Sequence, residues 1–140
     1  MPNRPVHFEI QADNLERASK FYTDVFGWDI EEWKMPGNMP EGLAMRYFMV
    51  MTAPKDSKEQ GINGGILPRM GGKPADGQSV NAYVCTMQVA DIDAIIKKIE
   101  KAGGTLALAK FAFPGMAWQA YYKDTEGNIF GIHEPNKDAR

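Results

Sequence analysis

Two stretches of the chain alternate apolar and polar residues with a period of two and then switch to a helical period. Phe8, Ile10 and Ala12 alternate with Glu9 and Gln11, as a half-buried strand requires. From residue 14 to 26 the apolar positions become Leu15, Ala18, Phe21, Tyr22, Val25 and Phe26, the spacing of a helix with one buried face. The second stretch repeats the change. Cys85, Met87 and Val89 alternate with polar neighbours, and Ile92, Ile95, Ile96, Ile99 and Ala102 then follow helical spacing over residues 91–102. Asp13 or Asn14 is placed to cap the first helix and Asp91 the second, while Gly27 and the pair Gly103-Gly104 stop them.

The two stretches are copies of one plan. An offset of 77 residues lays Gln11 on Gln88, Lys20 on Lys97 and Gly27 on Gly104, with Leu15, Ala18 and Tyr22 falling on Ile92, Ile95 and Ile99. After the first helix come the strand-like runs WDIEEW, AMRYFMVMT and GINGGIL; after the second come TLALAKF, MAWQAYYKD and NIFGIHE. PRMGGKPADGQS, rich in glycine and proline, reads as the joint. The pattern predicts β-α-β-β-β, linker, β-α-β-β-β: module one over residues 5–67, linker 68–79 and module two 80–135, within a single domain spanning 1–140. In the last run a glycine, Gly131, interrupts a strand beside His133, one of only two histidines. Glycine there marks a bulge or a close approach.

That duplicated layout, with HFEIQADNLERASKFYTDVFGW in front, INGGILPR in the middle, a second helix ending KAGG and the DTEGN turn of KDTEGNIFGIHEP behind, resembles the vicinal oxygen chelate superfamily of glyoxalases, extradiol dioxygenases and bleomycin-resistance proteins. The resemblance covers nearly the whole chain. It implies an α+β fold of two βαβββ modules curling around a shared cavity, commonly completed by dimerisation, so a homodimer is expected. In metal-dependent members each module offers two ligands, one near the start of its first strand and one, usually Glu, on its last. Carried onto this chain, those places are His7, Gly65, Val84 and Gly131. Only His7 has a side-chain lone pair to give. The resemblance therefore implies a vacated metal site, no metal and no cofactor, and a space on the cavity side of Gly131.

Strand alternation puts His7, Glu9 and Gln11 on one face of the first strand, Thr86 and Gln88 on the matching face of the fifth, and Ile129, Gly131 and His133 together on the last. His7, Glu9, Gln11, Thr86, Gln88 and His133 are thus candidate ligand-binding groups, and Trp118, in FPGMAWQAYY, is the candidate stacking surface for a flat ligand. Glu9 beside His7 also has the chemistry of a general base, and His7, Glu9 and His133 together would suit iron or zinc as a rewired site. No catalytic residue is assigned. Two readings stay open: binding of a small organic molecule without metal, or a metal-dependent lyase, isomerase or dioxygenase. A module serving protein partners is a third.

Composition narrows the partners. Sixteen basic against 18 acidic residues are spread along the chain for a net charge of −2, with no basic stripe for nucleic acid. No apolar run is long enough to span a membrane, and MPNRPVHFEI lacks the zones of a secretory signal, so a cytoplasmic protein is expected. One cysteine, Cys85, excludes an internal disulfide; facing its helix, it reads as a small buried hydrophobe. Met35, Met39, Met45, Met49 and Met51 crowd one stretch, as a core or as a plastic pocket lining. Trp28, Trp33, Tyr47, Tyr121 and Tyr122 give other strands bulky faces. Gly64-Gly65 lacks the spacing of a phosphate loop and reads as a strand permitting close approach.

Overall fold

The computed structural model describes residues 7–34, 46–69, 71–78 and 84–140. Met35, Met39 and Met45, and the first residues of both expected modules, lie outside them. The chain divides into two compact units, Met1–Lys73 and Pro74–Arg140.

In the first unit, strand β1 (Phe8–Ala12) leads into helix α1 (Leu15–Phe26), followed by β2 (Asp29–Glu32), β3 (Phe48–Met51) and β4 (Gly64–Pro68). The helix begins where Asn14 Oδ1 accepts from the Arg17 amide and ends at Gly27, whose φ of 71° only glycine adopts without strain. The sheet order is β1-β4-β3-β2, with β1 parallel to β4 and the remaining pairs antiparallel. Helix α1 buries Leu15, Ala18, Phe21, Tyr22 and Val25, and the buried apolar residues of the sheet are Ala12, Phe48, Val50 and Ile66. Trp28 joins this core by stacking on Tyr22, rings 5.2 Å apart and nearly parallel. Phe8, 5.7 Å from the Trp28 ring, leans over Gly64, where any side chain would collide with it. That is one reason for the double glycine. The pair lies in a strand, not a phosphate loop.

The second unit repeats the order: β5 (Thr86–Gln88), α2 (Ile92–Lys101), β6 (Thr105–Phe113), β7 (Ala117–Lys123) and β8 (Ile129–Pro135), with sheet order β5-β8-β7-β6 and β5 parallel to β8. Asp91 caps α2 through the Ala94 amide, and Glu134 Oε2 accepts from the Ile92 amide, tying β8 to the same helix end. Ile92, Ile99, Ala120, Tyr122, Phe130 and Ile132 form the core. Asp124 folds the β7–β8 turn: its buried Oδ1 accepts from the amides of Glu126 (2.8 Å) and Asn128 (2.9 Å). This turn pairs Lys123 with Ile129 and thereby sets every pair behind it, Tyr121 with Gly131 and Gln119 with His133.

The sequence reading thus holds at the level of fold. Two four-stranded mixed sheets, each with one helix, carry the α+β plan.

Candidate functional site

Each sheet has one face against its helix and one open face, and the candidate groups sort between them by register. In the first unit Glu9 lies opposite Gly65 across β1–β4. In the second, Thr86 lies opposite Gly131 across β5–β8. Glu9 and Thr86 are related by the 77-residue offset, so Gly65 and Gly131 occupy equivalent places in the two units.

Neither glycine leaves a void. A side chain at Gly65 would run into the ring and hydroxyl of Tyr47. The phenol is held there from two sides. His7 Nε2 lies 2.8 Å from its oxygen, and the negative charge of Glu9 acts on it from the other side. Partial burial, the negative charge of Glu9 and hydrogen bonding to Glu9, in this order, push the Tyr47 pKa up to about 12. The phenol therefore keeps its proton at neutral pH. Trp33 meets Tyr47 edge-on, with 6.3 Å between centroids.

Over Gly131 three side chains close in. A Cβ there would stand 2.6 Å from Thr86 Oγ1, 3.0 Å from Gln119 Nε2 and 3.1 Å from Tyr121 Cε1. Gln119 is 4% exposed, and its Oε1 lies 2.8 Å from His133 Nδ1. An amide oxygen only accepts, so Nδ1 carries the proton of that bond. The expectation of an open space over Gly131 is thus corrected: glycine is needed because neighbouring strands fill the place.

Of the expected ligand-binding residues, Thr86, Gln88 and His133 share the open face of the second sheet, Gln88 pairing with His133. His7, Glu9 and Gln11 belong to the first unit; Gln11 pairs with Leu67, half-buried. Trp118 requires a correction. It alternates with Gln119 along β7 and pairs with Glu134, which puts it on the helix face. There Lys110, bonded to Asp93 of α2, sits 4.4 Å from its ring centroid. Trp118 does not belong with the stacking groups of the open face. Val84 precedes β5 half-buried, and Cys85 follows it, its thiol pKa raised by burial. Tyr47, Gln119 and Tyr121 were missed. Counting back from the Asp124 turn identifies the last two as the open-face partners of His133 and Gly131.

Residues 4–39 match the family model described as "Bleomycin resistance protein-like N-terminal". A glyoxylase-like domain-containing protein of Didymella fabae is 30% identical over 128 residues, covering 89% of this chain and 88% of its own. The chain belongs to the vicinal oxygen chelate superfamily. Another relative, named as a glyoxylase (CFP32) in Mycobacterium tuberculosis, is 25% identical over 138 residues; this superfamily member spans 46% of its length, about half. Among solved structures, the fosfomycin resistance protein FosX of Listeria monocytogenes shares the fold with a TM-score of 0.66 at 14% identity, covering 97% of this chain and 96% of that one. A glyoxalase/bleomycin resistance protein/dioxygenase family enzyme of Burkholderia phytofirmans PsJN gives 0.63 at 18%, covering 93% and 97%.

The ligand places of the metal-dependent superfamily pattern do not suit a divalent ion here. Gly65, Val84 and Gly131 offer no donor atoms, and the Nε2 of His7 is engaged by Tyr47. Among the described residues, no three His, Cys, Asp or Glu side chains gather as a metal site.

Proposed function

We propose that this superfamily member binds a small organic molecule without a catalytic metal, on the open face of its second sheet. One observation carries the reading: both last-strand ligand places are glycines over which neutral hydrogen-bonding side chains have closed. Around Gly131 these are Thr86 and Gln119, with Gln88 and His133 beside them and the half-buried rings of Tyr121 and Phe111 flanking. Few polar groups set among apolar surface are the usual makeup of a small-molecule site. Sequestration of such a molecule fits this face, in keeping with the match of residues 4–39 to the bleomycin resistance protein-like model. The working form is a homodimer in the cytoplasm. Among the described residues no helix is long and apolar enough to cross a membrane.

The rival reading, a metal-dependent lyase, isomerase or dioxygenase, is favoured by two observations. His7 stands at its ligand place, and a FosX structure contains Mn(II) with a dihydroxypropylphosphonic acid. Elemental analysis of protein purified without added metal, paired with a thermal-shift screen of small aromatic molecules, separates the two. A ligand at a hundred times its Kd raises native stability by roughly 2.7 kcal/mol. Stoichiometric metal, with turnover of methylglyoxal–thiol adducts or catechols, overturns the proposal.

A further inference from the structure

Gln119 is the polar side chain most deeply set under the proposed binding face, and its two ends are in different positions. Its oxygen is committed to His133 Nδ1 at 2.8 Å. Its nitrogen packs over Gly131, 3.0 Å from where a Cβ would stand, and has no hydrogen-bond partner among the described residues. No buried side-chain nitrogen or oxygen among those residues is left unsatisfied, so this nitrogen reaches solvent there. Thr86 Oγ1 closes over the same glycine from β5, 2.6 Å from where its Cβ would stand. An amide N–H and a hydroxyl thus converge where metal-dependent members project a carboxylate.

We propose that this pair receives the carbonyl oxygen of a neutral, flat ligand, doing by hydrogen bonding what a metal ion does for substrate oxygens elsewhere in the superfamily. The inference rests on the binding role proposed above and names its substrate class. A carbonyl oxygen has two in-plane lone pairs, enough for one bond from Gln119 Nε2 and one from Thr86 Oγ1. A cation would meet the amide's positive end. An anion meets no free counter-charge among the described residues of this face: Lys123, on the same face of β7, lies 3.6 Å from Asp76. Flatness follows from the flanks, where Tyr121 borders Gly131 and Phe111 pairs with Gln119. His133 is a positioning residue: by holding Oε1 it turns Nε2 outward.

The test is a set of nuclear magnetic resonance titrations of the full chain with acetophenone, ethylbenzene and benzoate, following the Gln119 side-chain amide and the open-face residues. Acetophenone should bind about fivefold or more tightly than ethylbenzene, the worth of one net hydrogen bond. It alone should shift the Gln119 amide protons downfield. Benzoate should bind no tighter than acetophenone. Gln119→Glu, which replaces the donor by an acceptor, should abolish the preference; Thr86→Val, at an exposed position, should reduce it should the first variant fold poorly. Equal binding of acetophenone and ethylbenzene, with open-face signals moving, overturns the carbonyl assignment and leaves the binding role standing. Tighter benzoate overturns it in favour of an anion. No movement of Thr86, Gln88, Gln119, Tyr121 or His133 with any probe removes both.

Discussion

Tyr47 lies where a side chain from Gly65 would stand, and each residue accounts for the other. Gly65 has an ordinary negative-φ or extended backbone, so alanine there meets no conformational objection, only the phenol. Gly65→Ala should push Tyr47 away from His7 and Glu9 and cost about 1–3 kcal/mol, the usual range for overpacking. With Tyr47→Ala already present, the same change should be neutral or stabilising by roughly 0.4–1 kcal/mol through the unfolded chain. A urea-denaturation double-mutant cycle measures the coupling. Additive effects would mean the two residues do not share this space.

The same phenol makes alkaline stability informative. Its pKa rises from 10.0 to about 12 on folding, so the native state holds the proton more tightly than the unfolded state. Below pH 10 both states are protonated and nothing is lost. Between about 10 and 12 the unfolded tyrosine ionises first, and stability falls as pH rises. Tyr47→Phe should flatten that part of the profile while leaving neutral pH less affected. Melting temperature against pH for both proteins is the measurement; parallel profiles would refute the assignment. Tyr122, raised by burial and by Glu100, contributes a similar slope that the variant leaves in place.

Both helices were legible from the sequence because their signals are local. Asn14 and Asp91 accept from amides three residues on, Gly27 and Gly103 turn left-handed, and the buried faces follow the periodicity of Leu15–Val25 and Ile92–Ile99. The 77-residue offset exposed the repeat, and with it the equivalence of Glu9 and Thr86. Tyr47 and Gln119 were hidden because they reach the glycines across strand pairs rather than along the chain. Trp118 was assigned to the wrong face for a different reason: in AWQAYYK bulky residues occupy both parities, so composition does not choose a side. Register from the Asp124 turn does.

His7 offers a test of metal independence that needs no ligand. Its side-chain hydrogen bond to Tyr47 is exposed, so His7→Ala should cost no more than about 1 kcal/mol and change no metal content. Without added metal or an affinity tag, the protein should carry far less than one equivalent of zinc, iron, nickel or manganese by elemental analysis. A full equivalent released by His7→Ala, with a matching fall in melting temperature, would instead assign His7 to a working metal centre.

Trp118 separates stability from binding. Its ring packs half-buried on the helix face beneath Lys110, which is itself bonded to Asp93 at 2.9 Å, so the indole links β6, β7 and α2. Trp118→Ala removes part of that packing and a cation–π contact worth roughly 0.5–1 kcal/mol. A total loss near 2 kcal/mol is expected, below the 3–5 typical of fully buried aromatics. Because Gln119 and Tyr121 point the other way, acetophenone should still bind the folded variant within about twofold of the parent. Urea unfolding and the acetophenone titration, run on the same sample, read the two effects separately. A folded Trp118→Ala protein that has lost acetophenone binding would put the ligand on the helix face, against the register of β7 with β8.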